Sequence, residues 1–110
     1  MNIQIFGSAK SFDSKKAERY FKERNIKYQY IDMRRYGISR GELQSVKNAV
    51  GLDKLINESC EDSVILKYLR SDEDRLQKLF ENQDWINLPI VRNGKAATVG
   101  YAPDEWKNWE

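Results

Sequence analysis

The chain has 110 residues, of which 40% are hydrophobic and 12% aromatic, and its net charge is +2, which favours one domain over 1–110 built on a single core. Its single cysteine excludes an internal disulfide, and the absence of histidine excludes a Ser-His or Cys-His catalytic pair and an imidazole zinc site. Since no apolar run approaches the ~20 residues that span a bilayer and no signal pattern opens the chain, we expect a cytoplasmic protein without membrane contact.

The first predicted elements form a βαβ unit. Residues 2–6 are predicted to be a buried strand, and Asp13 or Ser14 is predicted to cap a helix that runs to about Asn25. Helical spacing predicts an apolar stripe on this helix, made of Ala17, Tyr20, Phe21 and Arg24. A second strand is predicted over 27–33, and the crossover helix requires it to run parallel to the first.

The middle of the chain, residues 39–83, is predicted to be a helical insert. Ser39 and Glu42 have the spacing of a capping box that begins a helix, and Gly51 ends it. Shorter helical segments are predicted over 53–58 and 64–69, and Ser71 opens a further helix. The predicted buried stripes of the two longer helices are Leu43, Val46, Ala49 and Val50, and Leu76, Leu79 and Phe80.

The C-terminal part is predicted to be a β-hairpin followed by a short helix. Strands over 88–92 and 96–101 are joined by Asn93-Gly94, a strong hairpin signal, and Pro103 begins the helix. The order βαβ, helical insert, ββα is the thioredoxin-like arrangement. We therefore predict an α/β fold with a four-stranded mixed sheet, in which the first two strands are parallel and the last two antiparallel.

Six segments of the sequence carry a family resemblance through their shared order and spacing. They are 3–16, Asn25-Ile26, Ser39-Arg40-Gly41-Glu42-Leu43, Gly51 with Leu55-Ile56-Asn57, Leu88-Pro89-Ile90-Val91, and Gly100-Tyr101-Ala102-Pro103-Asp104-Glu105. Over nearly its full length the chain resembles the arsenate reductase (ArsC) family and its Spx-type relatives. The resemblance implies that Pro89 is a cis-proline facing the active-site loop.

The chain departs from that family at the residues that carry its chemistry. The resemblance places the family's catalytic cysteine at Ser11 and the second thiol of a C-x-x-C pair at Ser14, and it places three oxyanion-binding arginines at Asn57, Leu88 and Ala102. A serine without a base does not replace the thiol, and an amide or an apolar side chain does not replace a guanidinium. The sequence thus favours a pseudoenzyme that acts by binding, as a regulator or an anion-binding module. The alternative is an arsenate-reductase-like oxidoreductase that depends on glutathione or glutaredoxin.

The loop that enters the first helix is the candidate ligand site. Backbone donors of residues 11–14 lie at the helix N-terminus beside lysines, an arrangement that holds small anions, although Asp13 opposes it. The alternative interpretation is that both serines are ordinary helix caps. The candidate ligand-binding residues are Lys10, Ser11, Phe12, Asp13, Ser14 and Pro89, with Lys15 and Lys16 nearby.

Two further features have a structural and a functional interpretation. Cys60 lies among three carboxylates, which disfavour the thiolate, so an inert cysteine is the preferred interpretation. Trp85, Trp106 and Trp109 form either a partner surface or part of the core.

The charge is uneven along the chain: residues 1–55 hold 12 Lys/Arg against 6 Asp/Glu, and residues 56–110 hold 7 against 11. A basic face for an acidic partner is one interpretation, but scattered surface charge is favoured because no nucleic-acid motif accompanies it. We expect no direct nucleic-acid binding, no cofactor and no metal. The Spx-type resemblance implies a protein partner such as RNA polymerase, and glutathione or glutaredoxin enters only under the reductase alternative.

Overall fold

The computed structural model describes residues 1–109. Its four-stranded sheet has the strand order β2-β1-β3-β4, in which β1 and β2 run parallel while β3 is antiparallel to both β1 and β4. This confirms the predicted thioredoxin-like mixed sheet. The strands are β1 (Ile3–Gly7), β2 (Tyr28–Asp32), β3 (Ile90–Asn93) and β4 (Ala96–Val99).

Helices cover both faces of this sheet. They are α1 (Phe12–Glu23), α2 (Arg40–Val50), α3 (Leu52–Leu55), α4 (Asp72–Glu81) and α5 (Pro103–Lys107), together with 3₁₀ segments at Glu61–Tyr68 and Gln83–Trp85. Among residues 1–109, no helix is both long and apolar enough to cross a membrane.

The predicted helical insert lies between β2 and β3. In the described chain the segment 39–83 contains no strand, and its one strand-like contact is an isolated bridge between Ile56 and Ile86. This bridge ends α3 at Leu55, earlier than the predicted 58, because Ile56 takes an extended conformation to pair with Ile86. The second short segment is a 3₁₀ helix that begins before the predicted residue 64.

The sheet separates two hydrophobic clusters, because successive side chains of a strand point to opposite faces. Ile5 of β1 lies in the cluster on the side of α1 and α5, whereas Phe6 lies in the cluster under the insert. Trp106 is fully buried in the first cluster and its Nε1 donates to Thr98 Oγ1 at 2.7 Å. Trp106 is therefore a core residue and not part of a partner surface.

Two of the predicted helix caps are present in the structure, and a third helix is capped by a different residue. The Ser39–Glu42 capping box is present at the start of α2, and Ser71 caps α4 as predicted. The first helix, however, is capped by Ser11, neither by Asp13 nor by Ser14. It begins earlier because the Ser11 hydroxyl accepts a hydrogen bond from the Ser14 backbone nitrogen at 3.1 Å.

Two residues predicted to be in buried stripes are exposed. Arg24 lies outside the core, with its guanidinium 3.7 Å from the centre of the Tyr20 ring and its Nη1 donating to the Tyr20 carbonyl. Ala49 is exposed because Val50 and Leu52 cover the core where α2 ends.

β3 ends at Asn93, one residue later than the strand predicted over 88–92. Asn93 pairs with Ala96 as part of β3, so the two loop residues are Gly94 and Lys95, and Asn93-Gly94 is not the turn itself. The positive φ of Gly94 suits the first position of a two-residue hairpin loop. The peptide bond between Leu88 and Pro89 is cis, as the resemblance implied.

Candidate functional site

The candidate loop connects β1, which ends at Gly7, to α1, and the chain's own hydrogen bonds close it. The backbone nitrogen of Ser8 donates to Ser14 Oγ at 3.2 Å, and the Ser8 carbonyl accepts from the Ser11 nitrogen at 3.0 Å. The Ser8 hydroxyl in turn accepts from the Lys10 nitrogen at 3.3 Å. The loop is thus held between the end of β1 and the first turn of α1.

The two serines that the resemblance places at thiol positions have structural roles. Ser11 is half-buried, and its hydroxyl oxygen caps α1. Ser14 is fully buried, and its hydroxyl oxygen accepts from the loop. Ser14 therefore does not line the surface that a ligand would reach, and Pro89 is buried as well. Of the six candidate ligand residues, Lys10 and Phe12 are exposed, and Ser11 and Asp13 are partly so.

Fewer backbone donors are free at this helix end than the sequence suggested. The nitrogens of Ser11 and Ser14 already donate within the chain, to the Ser8 carbonyl and to Ser11 Oγ. In the part of the chain that the structure describes, the nitrogens of Phe12 and Asp13 have no acceptor. Two donors at the positive end of the helix dipole thus remain for an anion.

A shallow depression of about 350 Å³ adjoins this loop, and we call it the loop depression. It contains two cationic side chains, Lys10 and Arg34, and one acidic side chain, Asp84. Among the described residues none of these three charged groups has an ion-pair or hydrogen-bond partner for its side chain. Its lining includes Ser8, Lys10, Met33, Arg34, Asp84 and Leu88.

Arg34 is not among the candidate residues predicted from the sequence, although its position contained a usable signal. Lys10 follows β1 and Arg34 follows β2, and the carboxyl ends of neighbouring parallel strands lie at the same edge of a sheet, where α/β proteins bind ligands. The turn after β2 is fixed by two hydrogen bonds, from the Met33 nitrogen to the Gly7 carbonyl at 2.9 Å and from the Arg34 nitrogen to Asp32 Oδ1 at 3.0 Å. The strand order therefore brings these two cations together.

The three positions that the resemblance assigns to arginines lie in different surroundings. Leu88 is half-buried and lines the loop depression. Asn57 lies in the insert, where its Oδ1 accepts from both the nitrogen and the hydroxyl of Ser59. Ala102 precedes α5 and packs against the cluster that contains Trp106. None of these side chains supplies a charge to the loop.

Cys60 is separated from the loop in the fold. It is partly exposed in the insert, where it lines a larger groove of about 670 Å³. The residues that line this groove and those that line the loop depression do not overlap. Cys60 is therefore not positioned to supply a thiol to the loop between β1 and α1.

Two tyrosines of β2 have raised pKa values. Burial, followed by a hydrogen bond to Glu18 and the charge of that carboxylate, raises the pKa of Tyr28, whose hydroxyl donates to Glu18 Oε2 at 3.0 Å. Burial, followed by the charges of Glu18 and Asp32, raises the pKa of Tyr30. Both effects favour the neutral phenol.

Comparison with known proteins identifies the fold through structure and not through sequence. No model of a protein family matches the chain, and no curated protein matches it. Among solved structures, an ArsC family related protein from Bacteroides fragilis has a TM-score of 0.84 at 22% identity, covering 100% of this chain and 98% of that one. An arsenate reductase from Vibrio cholerae has a TM-score of 0.83 at 21% identity, covering 98% and 97%.

A solved structure of lower similarity has the same fold. The glutaredoxin-like protein NrdH-redoxin from Escherichia coli has a TM-score of 0.54 at 14% identity, covering 100% of this chain and 96% of that one. The chain therefore has the thioredoxin-like fold of ArsC-related proteins.

Proposed function

We propose that this protein acts by binding an anionic group at the loop between β1 and α1, and not by thiol redox chemistry. The observation that carries the proposal is the use of both serine hydroxyls. Ser11 Oγ caps α1 and Ser14 Oγ holds the loop, so the two positions at which the resemblance expects thiols contribute to the fold.

The redox function lacks its reactive group. A hydroxyl does not form the mixed disulfide through which thiol exchange proceeds. The chain has no histidine that could activate a serine, and Cys60, its single cysteine, lies in a different cavity. A competent reductase would need its nucleophile from another molecule.

Anion binding, by contrast, is supported by groups that are present. The free nitrogens of Phe12 and Asp13 lie at the positive end of α1, and Lys10 and Arg34 line the adjoining depression. Asp84 reduces the positive charge, so we expect an anion that also accepts several hydrogen bonds, such as phosphate or arsenate. This chemistry needs no thiol.

Isothermal titration calorimetry with inorganic phosphate, arsenate and sulfate tests the proposal at fixed ionic strength. We expect binding to the wild type that weakens severalfold in Lys10→Ala/Arg34→Ala, because both cations adjoin the site. The matched control is Arg70→Ala/Lys95→Ala, which removes the same charge from two exposed residues outside the loop depression.

Two results would contradict the proposal. One is the absence of measurable heat for all three anions, and the other is equal weakening in the control variant. Equal weakening would indicate that the anions are attracted by the overall positive charge of the surface and not by a specific site.

Two further ideas depend on the family resemblance. The reductase alternative, with glutathione or glutaredoxin supplying the thiol, is favoured by the neighbour described as an arsenate reductase. A protein partner such as RNA polymerase is favoured by the Spx-type resemblance. A pull-down from the source cell with RNA polymerase subunits monitored tests that partner directly, and their absence from the eluate would argue against it.

A further inference from the structure

A second candidate site, independent of the loop, lies in the helical insert. The groove of about 670 Å³ introduced above, which we call the insert groove, runs between α3, the 3₁₀ helix and α4. Ile56, Val64 and Leu66 give it an apolar lining, and Val64 is half exposed. Ile65 and Tyr68 on the same 3₁₀ helix are exposed as well, at 45% and 81%, although they do not line the groove.

One wall of the insert groove is a turn that side-chain hydrogen bonds hold in place. Asn57 Oδ1 accepts from the Ser59 nitrogen at 3.1 Å and from the Ser59 hydroxyl at 2.6 Å. The buried Ser63 hydroxyl lies 3.0 Å from the Asn57 carbonyl and 2.8 Å from the Cys60 carbonyl. Because these bonds order the turn, the groove walls lose little conformational freedom on binding.

The opposite wall is fixed by Arg75. Its Nε lies 3.2 Å from the Leu66 carbonyl and 3.1 Å from the Leu69 carbonyl, and its Nη1 pairs with Asp72 at 3.3 Å. These contacts tie the end of the 3₁₀ helix to the start of α4. The Asp72 carboxylate offsets the charge of Arg75, so this pair adds no net charge beside the groove.

Free charge in the insert groove is mainly negative. Asp53, Glu58 and Glu61 line it, and within residues 1–109 none of the three carboxylates has a hydrogen-bond or ion-pair partner. Lys67 is the opposing cation in the lining. An apolar surface bordered by three unpaired carboxylates is complementary to an apolar side chain flanked by cations.

We infer that the insert groove docks a segment of a partner protein in which an apolar side chain is flanked by lysine or arginine. The apolar lining takes the apolar side chain, and the three carboxylates select for the cations and against an acidic segment. This interface is separate from the proposed anion site, because no residue lines both cavities.

Cys60 reports on this docking because it is the single cysteine and lines the groove. The probe is the peptide acetyl-Arg-Leu-Arg-Leu-Arg-amide, and the readout is the rate of Cys60 alkylation by iodoacetamide with and without the peptide. We expect the basic peptide to slow alkylation severalfold. The same peptide with glutamate in place of arginine should leave the rate unchanged.

A charge-matched pair of variants separates a docking site from general attraction. Asp53→Asn/Glu58→Gln/Glu61→Gln should lose the protection, measured as the ratio of rates within each variant. Glu23→Gln/Asp104→Asn/Glu105→Gln removes the same charge from α1 and α5 on the other face of the sheet and should keep it.

Calorimetry with the same peptides checks that protection reflects binding. An unchanged alkylation rate without binding heat would overturn the inference. Equal protection by the acidic peptide, or equal loss of protection in both triple variants, would overturn it as well.

Discussion

A hydroxyl and a thiol are not equivalent at Ser11 and Ser14, and the fold uses the properties of the hydroxyl. Oxygen accepts strong hydrogen bonds from backbone nitrogens, whereas sulfur is a weak acceptor. Ser11 therefore suits an N-cap, and Ser14 satisfies a buried backbone donor of the loop. The two hydroxyls thus add local order at the positions to which the resemblance assigns thiols.

Removing the two hydroxyls should have unequal effects on stability. Ser11→Ala should lower the free energy of unfolding by about 1 kcal/mol through loss of the cap. Ser14→Ala should cost more, about 1–3 kcal/mol, because the buried nitrogen of Ser8 loses its acceptor. Urea denaturation measures both, and a smaller effect for Ser14 would show that the loop relaxes without its hydroxyl.

Cys60 should behave as an ordinary surface thiol. In the absence of peptide we expect its alkylation at neutral pH to be no faster than that of an unactivated cysteine, because the chain has no histidine that could take up the proton of the thiol. Cys60→Ser should fold normally, as judged by circular dichroism and thermal unfolding. Rapid alkylation would instead revive the enzyme hypothesis.

The raised pKa values of Tyr28 and Tyr30 predict a loss of stability at alkaline pH. Their pKa values are raised in the folded state, so folding favours the neutral phenol. This contribution is present below about pH 10, the unfolded value, and is lost as pH rises through the folded pKa. Tyr28→Phe/Tyr30→Phe should therefore show a shallower fall in unfolding free energy above pH 10. Urea denaturation between pH 8 and pH 11 measures this fall, and an equally steep fall in the double variant would contradict the prediction.

At the scale of elements, the site depends on how closely β1 approaches α1. A Cβ atom at Gly7 would lie 2.8 Å from Ser14 Oγ and 2.9 Å from Tyr30 Oη. These distances leave no space for a methyl group. Glycine at the end of β1 therefore allows the loop, the helix and the neighbouring strand to meet.

Two glycine substitutions should change stability in opposite directions. Gly7→Ala should destabilise the fold by about 1–3 kcal/mol, because Ser14 and Tyr30 would have to move. Gly41→Ala, in α2 with no atom within 4 Å of the added Cβ, should stabilise it by about 0.5 kcal/mol. Thermal unfolding of both variants measures the difference, and a neutral Gly7→Ala would show that this junction is loosely packed.

Local patterns predicted the elements and the strand directions well, but they did not predict which side chains of different elements meet. The capping box at Ser39 and the proline start of α5 were recognisable because their signals lie within a few residues. The early start of α1 was missed because Ser14, proposed as its cap, is used by the loop instead. Arg34 and Lys10 come together at the ends of the paired strands β1 and β2, although 24 positions of sequence separate them, so neither residue lies in a local motif with the other.

At the scale of the whole molecule, the sheet separates the two hydrophobic clusters. Residues of the helical insert contribute to the lining of both candidate cavities. The loop depression joins the ends of β1 and β2 to residues that precede β3, and the insert groove lies within the helical insert. We proposed recognition and not turnover on the basis of the loop depression and of the hydroxyls at Ser11 and Ser14. That is the central claim of the proposed function.

The most direct test of this claim is arsenate reduction coupled to glutathione and glutaredoxin. The assay compares the wild type, Ser11→Cys, and Ser11→Cys combined with Asn57→Arg, Leu88→Arg and Ala102→Arg. We expect no turnover by the wild type. Ser11→Cys should gain a thiol, partly activated at the positive end of α1, and little turnover, because orienting the oxyanion also requires the arginines. Full activity of Ser11→Cys alone would show that the arginines are not essential, and turnover by the wild type would contradict the binding function.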